Sequence, residues 1–444
     1  MEKVMIIGGV AAGMSAASQL RRLNKDAEII VFEKGGDVSY GACGLPYYIS
    51  DVTKSDDELI ARTVEQFEER NIHVYLYHDV QQVDPRKKEI RVLDIHKNKE
   101  KTYQYDRLLI AVGANPIIPP FMKGNFQNVF TLKTLQDGKK MKSFFQQEQI
   151  QNVTIIGGGY IGLELVETML ELGKRVTVIE LNNQILPPLD ADVAQIVQNE
   201  LKDRVEFRLG EKVQGLVNDN GKVTAVQTDQ GTYETDAVVV NVGVRPNTKF
   251  VKDIGLDMLK NGAIIVNEWM ETNIPHIYAA GDCATSQHLV LQKPVNIALG
   301  TIANKQGKLV GDNLAGQRRK FPGVLGTSVV KVMELEIART GLSEKEAKEA
   351  GIPYKTVTVD ANSHASYYPG AKKMVIKLVY HPETLILYGA QMVGERGVAK
   401  RIDVFATAIT GKMTTEEMTL LDLSYAPPFA TVWDAVQVAT RKAK

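Results

Sequence analysis

Cysteine is scarce in this chain: among 444 residues only Cys43 and Cys283 carry a thiol. Two thiols make no disulfide framework, so the cytoplasm is the expected location and each thiol has to be examined for chemistry. Neither sign of charge is in excess. Lys and Arg number 53, Asp and Glu number 53, and the formal net charge is zero. This balance argues against a general nucleic-acid binder or an acidic-membrane binder, and leaves room only for a local basic pocket. Long hydrophobic runs are missing as well. A membrane span needs about 18 unbroken apolar residues, and no window supplies them. The N-terminus, MEKVMIIGGVAAG, runs straight into an apolar strand without the basic segment and cleavage site of a secretory leader. No metal centre is expected. What remains is an ordinary globular composition, 44% hydrophobic and 24% charged. The length suggests about three domains.

Two strand–glycine–helix units stand out. The first is VMIIGGVAAGMSAASQLRRL, followed by the strand EIIVFE that ends at Glu33. The second is VTIIGGGYIGLELVETMLELG, followed by RVTVIE ending at Glu180. Each has the size of a βαβ unit of a dinucleotide-binding domain. In the second, Gly157, Gly159 and Gly162 fit G-x-G-x-x-G. The first glycine permits the tight turn, the second admits the pyrophosphate, and the third lets helix and strand pack closely. The pyrophosphate then sits at the positive end of the helix. Glu180 is placed to accept hydrogen bonds from ribose hydroxyls. Leu181, Asn182 and Asn183 follow it, with no cation for a 2′-phosphate, which leans toward NADH without settling it. The first unit departs from the pattern. Gly8 and Gly13 are in place, Gly9 follows Gly8, and Val10 occupies the middle glycine position. An N-terminal unit followed by a second suggests FAD first and a nicotinamide nucleotide second.

Further along, DRLLIAVGANP and DAVVVNVGVRPN are apolar strands that leave the two nucleotide units, and ETNIPHIYAAGDCA ends a strand at Gly281 and Asp282. Asp282 could bond flavin hydroxyls or cap a helix. From about Phe321 the pattern changes to antiparallel strands, SVVKVMELEIARTG and KMVIKLVYHPETLILYGAQMVG, with the helical stretch GVAKRIDVFATAITGK after them. These residues read as a separate α+β domain. The fold class is therefore α/β, with two Rossmann-like domains plus a C-terminal α+β domain.

Together GGVAAGMSAA, AVGANP, GGGYIGLE and the T-x-x-P-x-I-Y-A-A-G-D run at Thr272–Asp282 resemble the pyridine nucleotide–disulfide oxidoreductases over essentially the whole chain. The resemblance implies an FAD domain of residues 1–117 and 247–321, split by an NAD(P) domain of residues 118–246. A dimerisation domain of residues 322–444 follows. It implies FAD contacts from Gly8, Gly9, Val10, Ala11, Ala12, Gly13, Glu33 and Lys34, with Ala111, Gly113, Gly281 and Asp282. It implies NAD(P)H contacts from Gly157, Gly159, Tyr160, Ile161, Gly162, Glu164, Glu180 and Gly243. Tyr160 could cover the flavin until nicotinamide displaces it.

The branch is decided around Cys43. Many relatives use a C-x-x-x-x-C dithiol, but here the residues five away are Val38 and Tyr48. SYGACGLPYY resembles the single-cysteine branch, which includes coenzyme A disulfide reductases, NADH peroxidases and water-forming NADH oxidases. Those peroxidases and oxidases carry a histidine in the first glycine loop where this chain has Ala11. SHASYYPG and LSYAPPFATVWD resemble the tyrosine segments of the coenzyme A disulfide reductases, with Tyr367 and Tyr425 at the matching positions and Tyr368 the neighbouring choice. There the two tyrosines reach the other subunit's cysteine in a homodimer. Cys43 chemistry needs a thiolate, so the site should lower its pKa. Cys283 reads as structural, as does His364. On the first helix Ser15, Gln19 and Arg22 share a face. With Ser39, and with Arg21 as an alternative to Arg22, they could hold the phosphate-bearing substrate. The expected activity is NAD(P)H-dependent reduction of CoA disulfide through FAD and a Cys43–CoA mixed disulfide. The rivals are an NADH oxidase or peroxidase cycling Cys43 through sulfenic acid, and a redox-sensing flavoprotein with a protein partner.

Overall fold

A computed structural model describes residues 2–444. Two parallel five-stranded sheets are built on the same plan. The first has the order Ile277–Ala279, Arg107–Ile110, Lys3–Ile7, Glu28–Phe32, Ile72–Tyr75. The second has the order Val129–Phe130, Ala237–Val240, Asn152–Ile156, Arg175–Glu180, Val205–Leu209. Their strands are short β-branched runs such as Lys3–Ile7, buried over their last four residues, as parallel strands covered on both faces must be. The strand Ile277–Ala279, about 165 residues beyond Arg107–Ile110 in sequence, adds beside it in register. The first domain is therefore completed by chain that returns after the second.

Helix α1 (Ala11–Leu23) springs from the first sheet, α2 (Leu45–Ile49) follows Cys43, α3 (Tyr160–Glu171) springs from the second sheet, and α4 (Gly300–Leu314) packs along α1. The last pair is unusually close. A Cβ on Gly307 would lie 2.2 Å from the Ala12 carbonyl oxygen, and one on Gly311 2.7 Å from that of Ala16. The two exit strands expected from the sequence join separate sheets as Arg107–Ile110 and Ala237–Val240, and the segments beyond their glycine turns pair with each other, antiparallel, as Ala114–Pro116 against Val244–Pro246. Both crossings between the nucleotide units thus run through one short ribbon.

The last sheet is antiparallel, in the order Ser328–Val332, Leu335–Gly341, Leu387–Gly394, Lys373–Tyr380, Lys355–Asn362, and the helix Val398–Thr410 covers it. An ion pair to Asp192 and a hydrogen bond to Asp190 tie it to the second nucleotide unit. Buried Lys377 meets Asp192 at 2.9 Å and Glu344 at 2.8 Å, and Gln391 donates to Asp190 at 2.5 Å. No helix of the described residues is long and apolar enough to cross a membrane.

Candidate active site

The two glycine loops are near copies at atomic detail. Gly8 and Gly157 turn with φ of 104° and 106°, conformations open to glycine and costly for other residues. A Cβ on Gly13 would lie 1.8 Å from the Gly8 carbonyl oxygen, and one on Gly162 2.0 Å from that of Gly157. The third glycine of each motif is therefore a packing requirement. Glu33 accepts from the Gly9 N–H at 2.7 Å and the Gly35 N–H at 2.7 Å. Glu180 accepts from Gly158 at 2.8 Å and Asn182 at 2.8 Å. Each acid thus braces its own loop, a role the ribose argument did not include. Burial pushes the Glu33 carboxyl up, and its backbone N–H donors oppose that.

These features fit dinucleotides. Neither α1 nor α3 has a side-chain cap or an acid in its first turn, whereas capping boxes close helices elsewhere, as at Thr134 and Ser343. The first-turn N–H groups of α1 and α3 are left for an anion. A Cβ on Gly159 would meet nothing within 4 Å, which leaves room beside the loop. Val10 takes that position in the first loop and lines a neighbouring cavity.

The remaining candidates are spread over both nucleotide units and the ribbon between them. Lys34 is exposed and paired with Asp79 at 2.8 Å. Asp282 does not cap a helix; Leu299 precedes α4. Asp282 instead pairs with Lys133 at 3.1 Å, a cation the sequence reading missed because it sits 149 residues away in the other unit. Gly113 and Gly243 take positive φ at the two ends of the exit ribbon. Ala111 offers its carbonyl to the close approach of Gly8. Ile161 is exposed at the start of α3, and the Tyr160 hydroxyl accepts from Ser328 at 3.1 Å.

Cys43 lies in the one-turn segment Ala42–Gly44, exposed on one side. The bonds Gly41 N–H to Leu59 O, 2.8 Å, and Gly44 N–H to Gly41 O, 2.9 Å, hold this turn. Helix α3 reaches it from the second unit, for Thr168 donates to the Pro46 carbonyl at 3.2 Å. The protein's own groups act against the lowered thiol pKa expected of this site. Burial pushes the Cys43 thiol up, the Glu164 and Asp282 charges add to this, and Lys133 is the cation that opposes it. Glu164 itself is pushed up to about 7 by burial and then by Glu167. Cys283 is fully buried, its thiol directed at the Ile110 and Ala280 carbonyls and pushed up to about 12; it is structural, as expected.

Beside the Cys43 turn opens a cavity of about 540 Å³ whose lining includes Ser15, Gln19, Arg22 and Ser39. All four were candidates on sequence. It also holds Arg62, Asn304, Lys305 and Lys308, which the sequence reading missed. The last three lie on α4, whose close approach to α1 was not visible in the chain. No Asp or Glu lines the cavity. Ser39 has φ of 51°, a strained conformation for serine. Arg21, the alternative to Arg22, is excluded from the cavity. It is buried, and its guanidinium donates to the carbonyls of Asn24, Lys25, Ala27 and Asn71.

In the last domain Tyr367 and Tyr425 are exposed, with their hydroxyls 3.1 Å apart. Tyr368 instead lies edge-on to His364. His364 is buried between Ser363 and the Pro369 carbonyl. No group of metal-ligating residues occurs among the described residues.

Two dinucleotide folds flanking one accessible cysteine define a nucleotide-dependent thiol oxidoreductase. The chain belongs to the pyridine nucleotide–disulphide oxidoreductases: that family's model matches residues 2–307, and its dimerisation domain matches residues 327–436. It is an enzyme of the FAD- and NAD(P)H-using kind. A curated relative from Pyrococcus abyssi, named NAD(P)H sulfur oxidoreductase (CoA-dependent), is 38% identical over 443 residues, 99% of this chain and 98% of its own. The coenzyme A disulfide reductase of Staphylococcus aureus is 33% identical over 447 residues, all of both chains. The crystal structure of reduced Bacillus anthracis CoADR-RHD superposes with a TM-score of 0.96 at 38% identity, over 99% of this chain and 80% of that one.

Proposed function

We propose that this protein is a homodimeric coenzyme A disulfide reductase of the cytoplasm. The observation that carries the reading is the cation-lined, acid-free cavity beside a lone accessible cysteine. Arg22, Arg62, Lys305 and Lys308 give it the charge to hold a substrate with several phosphates, such as CoA. The coenzyme A disulfide reductase relative supports the same substrate. On this reading residues 1–117 and 247–321 hold FAD, 118–246 hold NAD(P)H, and 322–444 meet the second subunit.

FAD, once bound, supplies the relay of two electrons from NAD(P)H to sulfur. The protein's part is sulfur exchange and proton management. Cys43 rests as a mixed disulfide with CoA. Two electrons break that bond and free one CoA thiol and the Cys43 thiolate. The thiolate attacks one sulfur of CoA disulfide; that S–S bond breaks, the mixed disulfide re-forms, and the second CoA leaves as a thiolate. The tyrosine pair of the other subunit, Tyr367 and Tyr425, hydrogen-bonds to the leaving thiolate and donates its proton. The net reaction consumes one NAD(P)H, one proton and one CoA disulfide, and yields two CoA thiols. Resting as a mixed disulfide suits a site whose own groups push the free thiol up.

The test is anaerobic NADH and NADPH oxidation with CoA disulfide, glutathione disulfide or peroxide, repeated with Cys43→Ser. Turnover with CoA disulfide that Cys43→Ser abolishes is the expected result. Full turnover by Cys43→Ser, or turnover with peroxide alone, refutes the proposal. A second reading gives CoA persulfide as substrate, which a Pyrococcus horikoshii relative named NAD(P)H coenzyme A polysulfide/persulfide reductase favours; release of sulfide on NADH oxidation distinguishes it.

A further inference from the structure

Arg22 stands exposed at the cavity, yet it is not a free side chain. Its guanidinium donates to Oε1 of Gln19. The other end of the same amide, Nε2, donates to Oδ1 of Asp312 at 2.5 Å. Gln19 is 8% exposed and Asp312 5%. Chemistry fixes the direction of this chain of bonds: a carboxylate only accepts and a guanidinium only donates, so the amide cannot turn over without losing both bonds. Packing fixes it as well. A Cβ on Gly311 of α4 would lie 2.7 Å from the Gln19 Cβ, so the stem of Gln19 is pressed against α4. Asp312 has one cation near it, Arg319 at 3.7 Å, itself 65% exposed.

We propose that Asp312 is a positioning residue for substrate recognition. Through Gln19 it holds Arg22 in the orientation that takes a phosphate of the substrate's nucleotide part. A free arginine loses about 2 kcal/mol of rotamer entropy when a ligand immobilises it. An arginine already tethered through a buried amide loses less, and its fork is aimed before the substrate arrives. The inference rests on the cavity being the CoA site. It goes beyond that reading by giving a residue on α4, remote from the cavity lining, control over affinity.

The test compares Asp312→Leu with Asp312→Asn in the full-length, flavin-loaded enzyme, using CoA disulfide and pantethine, which lacks the phosphorylated nucleotide. Asp312→Leu should raise KM for CoA disulfide about tenfold, equal to about 1.4 kcal/mol. Its kcat should stay within about twofold, and KM for pantethine should not move. Asp312→Asn keeps an acceptor for Gln19 and should restore KM. Adding Asp312→Leu to Arg22→Ala should cost nothing more, as two residues acting through one contact require. The relay is overturned if KM for both substrates rises together, if the double variant is additive, or if Asp312→Leu leaves KM unchanged while Arg22→Ala raises it. If Arg22→Ala itself leaves KM for CoA disulfide unchanged, the cavity reading fails, and the relay with it.

Discussion

The duplicated glycine loops allow one substitution to be made twice with different expected consequences. Gly13→Ala and Gly162→Ala each add a Cβ, 1.8 Å from the Gly8 carbonyl oxygen and 2.0 Å from that of Gly157. Even a close carbon–oxygen contact needs about 3.3 Å. Helix α1 or α3 must therefore retreat by more than about 1 Å, and overpacking of this kind costs about 1–3 kcal/mol. The retreat also withdraws the uncapped helix N-terminus from the pyrophosphate. Each variant should then lose at least tenfold in affinity for its own nucleotide, about 1.4 kcal/mol. Gly13→Ala is expected to purify short of flavin, read from absorbance per chain. Gly162→Ala should keep its flavin and need at least about tenfold more NADH for half-maximal anaerobic flavin reduction. As a control, Gly159→Ala adds a Cβ that meets nothing within 4 Å, and should melt with the wild type. Two variants with full flavin and unchanged NADH dependence would refute the packing argument. Loss of flavin in Gly162→Ala alone would reverse the assignment of the two sites.

Two further predictions concern the thiol and its proton supply. Glu164, pushed up to about 7 by burial and by Glu167, in turn helps raise Cys43. Glu164→Gln should move the pH profile of Cys43 alkylation, measured on reduced enzyme, to lower pH. The change should be largest above about pH 7, where the wild-type carboxylate is charged; an unchanged profile rules the coupling out. Tyr425 has its hydroxyl 3.1 Å from Tyr367, and that bond is the largest cause raising its pKa. Tyr425→Phe should slow CoA disulfide turnover by about a hundredfold, the low end of a lost proton donor, and leave flavin reduction by NADH intact. Equal loss in both half-reactions would assign the tyrosine to the interface alone.

Much of this protein is written in short-range sequence. The two strand–glycine–helix units, their closing acids Glu33 and Glu180, and the solitary Cys43 can be read directly, because local backbone geometry demands those residues at those spacings. The helix face of Ser15, Gln19 and Arg22 is legible for the same reason: its period is that of α1. That period favoured Arg22 over Arg21, and the fold removes the alternative by surrounding the Arg21 guanidinium with four backbone carbonyls. Sequence could not bring in Lys133, Lys305, Lys308 or Asp312, which reach the site from helices and loops far along the chain. Nor could it show how the protein's own groups act on the Cys43 thiol. The thiol's neighbours come from separate segments: Glu164 and Asp282 add to the effect of burial, and Lys133 opposes it. Local spacing set the loops and strands of this molecule; the cation-lined cavity and the electrostatics of its thiol arise only where distant segments pack together.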